Sequence, residues 1–152
     1  MKAGFVPALA TPLDAHGNLE EKSYRRQIED MIRQGAVGLL SMGSMGQQAY
    51  LRSDLCHEVA RVAIDAAAGR VPVFVGAMDC SIQRAKQRLK DMDDLDAAAF
   101  VFTAPYYAAV PPSNMMNYFK AVGAATQHKI MLYDLPSVTQ SSAPSSGQVP
   151  CR

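Results

Sequence analysis

The sequence is poor in the features that tie a chain to metals, membranes or nucleic acids. Its three cysteines, Cys56, Cys80 and Cys151, are odd in number and follow no CxxC or Cys/His spacing. That excludes a disulfide framework and a zinc cluster, and leaves reduced thiols in an intracellular protein. Fifteen Lys and Arg stand against fourteen Asp and Glu, a formal charge of +1 with no basic block. Neither a phosphate backbone nor an anionic membrane is implied as partner, and a small neutral or anionic substrate fits better. The early apolar stretch MKAGFVPALATPL is interrupted by Pro7 and Pro12, so it is neither a signal sequence nor a membrane span. The cytoplasm is the expected compartment. HExxH, GxSxG, GxGxxG, Walker and paired-carboxylate patterns are all missing, which excludes the enzyme classes built on them. The three histidines form no array: His16 falls in a Gly-containing turn, His57 on a helix and His128 before a strand, and each reads as a surface residue.

What is present is the composition of one globular domain, 49% apolar and 19% charged over 152 residues, enough to bury a sizeable core. Short β-branched or apolar runs at 4–10, 37–41, 71–76, 98–103 and 130–133 predict strands. Amphipathic stretches at 20–34, 54–68, 82–92 and 114–126 predict helices between them. Ser53, Ser81 and Ser113 stand where a hydroxyl would cap a helix start. Strands recur about every thirty residues, the length of a βα unit, and such alternation implies a parallel sheet. Two architectures accept it, an open doubly wound sheet or a (β/α)8 barrel of about 250 residues. Five strands complete the first and only part of the second, so periodicity by itself leans to the open sheet.

Beyond Gln140 the texture changes. SSAPSSGQVPCR holds four Ser, two Pro and one Gly, with no Leu, Ile or Phe. Such a segment buries too little apolar surface to offset its ordering entropy, and a disordered or irregular tail is expected over 141–152, after a folded part at 1–140.

Parallel α/β folds place their sites at the carboxyl ends of strands. After the second run comes SMGSMGQQAYL, where Gly43 and Gly46 let the backbone turn tightly and Ser44 offers a hydroxyl and nearby amides to a carboxylate. After the fourth comes FTAPYYAAVPPS; its neighbours Tyr106 and Tyr107 point to opposite sides of an extended segment, one inward and one toward a site or a partner. After the fifth comes LYDLP, in which Tyr133 ends the strand and Pro136 stiffens the loop. A phenol in a dry pocket relays a proton if another hydroxyl lowers its cost of ionisation.

ALATPL, GLLSMGSMGQQAYL, GRVPVFVGAM, FVFTAPYY and LYDLP, in this order and spacing, resemble the dihydrodipicolinate synthase and N-acetylneuraminate lyase family of pyruvate-dependent aldolases. The resemblance runs from about Lys2 to Gln140. It replaces the open sheet with a partial TIM (β/α)8 barrel, about five of its eight βα strands. It implies a lyase or aldolase in which a lysine on strand six forms a Schiff base with pyruvate or another 2-keto acid, with no cofactor and no metal. Position by position it implies catalytic roles for Tyr133 as proton relay, Ser44 as relay hydroxyl and Tyr107 as a tyrosine lent across a dimer interface. Ser44, Met45 and Gly46 would cradle the pyruvyl carboxylate.

Departures from the family pattern refine this. Met45 replaces a hydroxyl, Gln47 replaces the usual Glu, and Val138 stands where dipicolinate-forming members place an arginine for a second carboxylate. A sugar-derived 2-keto acid therefore fits better than aspartate semialdehyde. None of the six lysines, Lys2, Lys22, Lys86, Lys90, Lys120 and Lys129, lies at the carboxyl end of a predicted strand, so no Schiff-base lysine is assigned. The family pattern stops near Gln140, before helix five and strand six. The sequence thus predicts a truncated member, by a frameshift near Gln140 or an early terminus, inactive alone. It would be a homo-oligomer or associate with a homologous chain; the alternative is a non-catalytic half-barrel that binds such a chain.

Overall fold

The computed structural model describes residues 3–140; Lys2, Cys151 and the expected tail at 141–152 lie outside them. In chain order the elements are α1 (Glu21–Arg33), β1 (Leu39–Ser41), a 3-10 turn (Gln48–Tyr50), α2 (Ser53–Ala67), β2 (Val73–Gly76), α3 (Ile82–Asp91), β3 (Ala99–Phe102), α4 (Pro112–Gly123), β4 (Ile130–Leu132) and the short α5 (Pro136–Thr139). The α1 sequence EKSYRRQIEDMIR buries Tyr24 and Ile28, four apart on one face, and leaves its charges to solvent. Glu21 in its first turn and Arg33 in its last complement the helix dipole.

Of the three expected caps, only Ser81 serves, its hydroxyl accepting from the Arg84 amide at 3.2 Å. Ser53 is already inside α2, which Arg52 precedes, and Ser113 lies within α4, which opens at Pro112. Proline suits that first position because its missing N–H would have had no helical partner.

All strand pairs are parallel and the order is β1-β2-β3-β4. The first expected strand, 4–10, is narrower than predicted: Ala8 bridges Leu40, with Leu9 N–H donating to Leu40 at 2.9 Å and Leu40 N–H to Pro7 at 3.0 Å. Pro7 and Pro12 lack the N–H that a longer ladder would use, which limits this strand to an edge. Neighbours in sequence are therefore neighbours in the sheet throughout. A doubly wound sheet must reverse its order at a switch point; a sheet that never reverses, with right-handed crossovers, keeps its helices on one face and is an arc of a barrel.

The strands alternate between two apolar faces. Leu39, Val73, Val75, Phe100 and Phe102 join the helix layer, against Val59, Ala63, Leu89 and Val122. Leu40, Phe74, Ala99 and Val101 form the opposite face, where Val6 and Tyr133 pack on them. Full burial of each large side chain contributes about 2 kcal/mol, which makes the helix-side layer the main source of stability.

Candidate active site

Because the strands are parallel, the loops after β1, β3 and β4 leave the sheet at one end. Ser44, Met45 and Gly46 follow β1, Tyr106 and Tyr107 follow β3, and Tyr133 follows directly on β4. The topology brings every candidate residue to this end.

The loop after β1 is shaped by its backbone. Met42 turns the chain in the left-handed region at φ 53°, and Gln47 does so again at φ 54°. A Cβ on Gly46 would sit 2.9 to 3.0 Å from the Met42 backbone and the Leu9 carbonyl, and one on Gly76 would run into the Met42 carbonyl. These two glycines let the loop settle onto the neighbouring strands. Thr11 closes it from the side, its hydroxyl donating to the Gly46 carbonyl at 2.8 Å. Within the loop, Gln47 N–H donates to Ser44 at 3.1 Å, whereas the amides of Ser44, Met45 and Gly46 donate to no described residue. Adjacent amides held this way can receive a carboxylate.

Tyr133 is half-buried; its N–H donates to the Phe102 carbonyl at 2.8 Å, and its side chain packs on the face away from the helices. Ser44 is exposed and Tyr107 is 90% exposed. The opposite neighbour, Tyr106, packs on the helix-side core. Burial, with Cys80 and Asp79 beside it, pushes the Tyr106 phenol up to about 12. The two tyrosines thus part as expected, one inward and one outward. No hydrogen bond joins the hydroxyls of Ser44, Tyr107 and Tyr133 to one another among the described residues. Met45 and Val138 are both exposed.

Residues that the sequence did not single out brace this end. Buried Asp79, after β2, accepts from Arg84 and Arg88 Nε at 3.1 Å each, while Arg88 Nη1 lies 3.0 Å from the Cys56 sulfur. Tyr118 donates to the Asp79 carbonyl at 2.7 Å. Burial opposes charge on Asp79, yet the hydrogen bonds from Arg88 and Arg84 outweigh it and hold the carboxyl below its ordinary range. Burial also pushes the Cys56 thiol up, against the pull of Arg88. Gln48 is 1% exposed, and neither side-chain heteroatom meets a partner among the described residues.

Lys22 lies on α1, Lys86 and Lys90 on α3 and Lys120 on α4, while Lys129 precedes β4 at the opposite end of the sheet from the candidate site. Among the described residues no group of three His, Cys, Asp or Glu could hold a metal ion, and no helix is long and apolar enough to cross a membrane. His57 pairs with Asp94 at 3.0 Å, and His128 reaches the Asp93 carbonyl at 3.1 Å and stands edge-on to Phe100.

Comparison with known proteins places this arrangement. The model of the dihydrodipicolinate synthetase family matches residues 1–145. A 4-hydroxy-tetrahydrodipicolinate synthase of Oleidesulfovibrio alaskensis is 33% identical over 137 residues, 90% of this chain and 47% of that protein. YagE of Escherichia coli K12, provisionally named a 2-dehydro-3-deoxy-D-gluconate aldolase, is 30% identical over 136 residues, 90% of this chain and 45% of its own length. The crystal structure of YagE in complex with pyruvate superposes with a TM-score of 0.84, covering 90% of this chain and 46% of that one at 29% identity. A dihydrodipicolinate synthetase homologue from Pseudomonas aeruginosa gives a TM-score of 0.86 at 27% identity, covering 93% of this chain and 49% of that one. The chain spans about half the length of the curated relatives that it matches.

Proposed function

Since the chain belongs to the dihydrodipicolinate synthetase family, we propose that it carries the carboxylate-binding and proton-relay half of a Schiff-base lyase or aldolase site. The substrate is pyruvate or a sugar-derived 2-keto acid. The observation that carries the reading is the loop after β1, whose three successive amides, Ser44 to Gly46, are unengaged at the sheet end that Tyr133 also occupies. These amides hold the keto acid's carboxylate. Tyr133, half in the apolar face and half in solvent, moves the proton at the substrate carbon, with Ser44 and Tyr107 as its hydroxyl partners. The nucleophilic lysine comes from outside the described residues, because those they contain lie on helices or at the far end of β4. Exposed Val138 offers no charge to a second carboxylate, which favours a hydroxylated aldehyde partner. The protein acts in the cytoplasm without cofactor or metal and is inactive alone.

Borohydride reduction in the presence of pyruvate tests this. The chain alone should gain no mass, while saturation-transfer NMR detects weak pyruvate binding that Ser44→Pro abolishes. A covalent adduct on any of its lysines would sink the reading.

A second reading, a non-catalytic half-barrel that binds a homologous chain, is favoured by the exposed apolar edge at Met131 and Leu132.

A further inference from the structure

We propose that the sheet face opposite the helices, flanked by the outer edge of β4 and by residues 5–9, docks a separate polypeptide of the same family. That polypeptide supplies three further β/α units and a strand-borne lysine. This deepens the second reading above and rests on it.

The sequential strand order leaves two open edges. Among the described residues β4 pairs only with β3, and the 5–9 segment only with β1 and the residues leading into it. Both edges run parallel to their neighbours, so each presents unpaired backbone groups to one more parallel strand. Exposure of apolar side chains rises toward these rims: Val101 is 1% exposed at the centre, whereas Met131 is 38%, Leu132 36% and Phe5 47% at the edges. The face is thus a packed centre with apolar margins.

Strand number selects the occupant. The four strands and the 5–9 segment make five, and an eight-stranded barrel is the size whose interior side chains just fill. Val6, Leu40, Phe74, Ala99 and Val101 already pack on one another across the inner face, as such a small interior requires. A second copy of this chain would make ten strands and a lumen these side chains could not fill. A three-stranded unit closes the ring. The arc also has the shape it takes within longer chains: it superposes with TM-scores of 0.84 and 0.86 on less than half of each. The residues at 141–152 hold no lysine and no alternating apolar pattern, so that stretch does not supply the unit.

The test co-expresses the full 152-residue chain with a tagged C-terminal fragment of YagE, the part this chain does not match. The fragment is one first verified to re-form a soluble complex with its own N-terminal half. A 1:1 complex is expected, with affinity lowered at least tenfold by Met131→Asp in a variant whose circular dichroism is unchanged. If the chain stays apart from the fragment while the control halves assemble, or if Met131→Asp binds as well as the parent, the proposal is overturned. Borohydride trapping with pyruvate is then run on the complex. An adduct on the fragment's lysine supports both readings. A complex that forms but traps nothing leaves the docking surface standing and removes the catalytic one.

Discussion

The Thr11 hydroxyl donates to the Gly46 carbonyl at 2.8 Å, tying the end of the N-terminal segment to the candidate carboxylate loop 35 residues on. Thr11→Val keeps the shape and removes the donor. It should cost about 1 kcal/mol, the usual net worth of such a bond. Denaturant unfolding reads that loss, and hydrogen exchange should quicken at 43–47 while the strand amides keep their protection.

The contact between Gly76 and Met42 makes a sharper prediction. Met42 is left-handed, and its carbonyl occupies the space a Cβ on Gly76 would need. Backbone cannot swing away as a flexible side chain can, so Gly76→Ala must move the loop or the strand. A loss of about 2 kcal/mol or more is expected. Gly123→Ala, where the added methyl meets nothing within 4 Å, is the control and should be neutral or stabilising.

The strands and helices were legible because their apolar periods are regular, and α1 to α4 and β1 to β4 fall within the predicted runs. Strand order was not, since five βα units read alike whether the sheet reverses or not; only the motifs from ALATPL to LYDLP chose the barrel. The Ser53 and Ser113 caps misled because Arg52 and the Pro111–Pro112 pair set those helix starts. Asp79 and Arg88 passed as ordinary loop and helix charges, for their burial comes from α2 and α4 packing over them. The candidate tyrosines were found, but their surroundings depend on tertiary contacts that no local pattern records.

The buried pair itself is testable. Asp79→Asn leaves the Arg88 guanidinium buried without its counter-charge and should cost about 3 kcal/mol at neutral pH. The pH dependence has a definite sign. The folded carboxyl lies below its unfolded value of about 4, so its contribution is complete above that value and is lost as pH falls through the folded one. Stability of the parent should therefore drop more steeply below about pH 4 than that of Asp79→Asn, and the two curves should converge in acid. Parallel curves would show that the pair does not titrate with folding.

Gln48 gives the opposite expectation. A buried amide whose oxygen and nitrogen find no partner among the described residues keeps the cost of leaving water, about 1 to 3 kcal/mol. Met is unbranched, of similar length and free of that cost, so Gln48→Met should raise stability by about 1 kcal/mol in the isolated chain. A thermal melt decides it. A rise in Tm shows that the amide is a burden the fold carries at the base of the loop. A fall shows that Gln48 is hydrogen-bonded in solution, and then the loop after β1 is held from beneath as well as by Thr11.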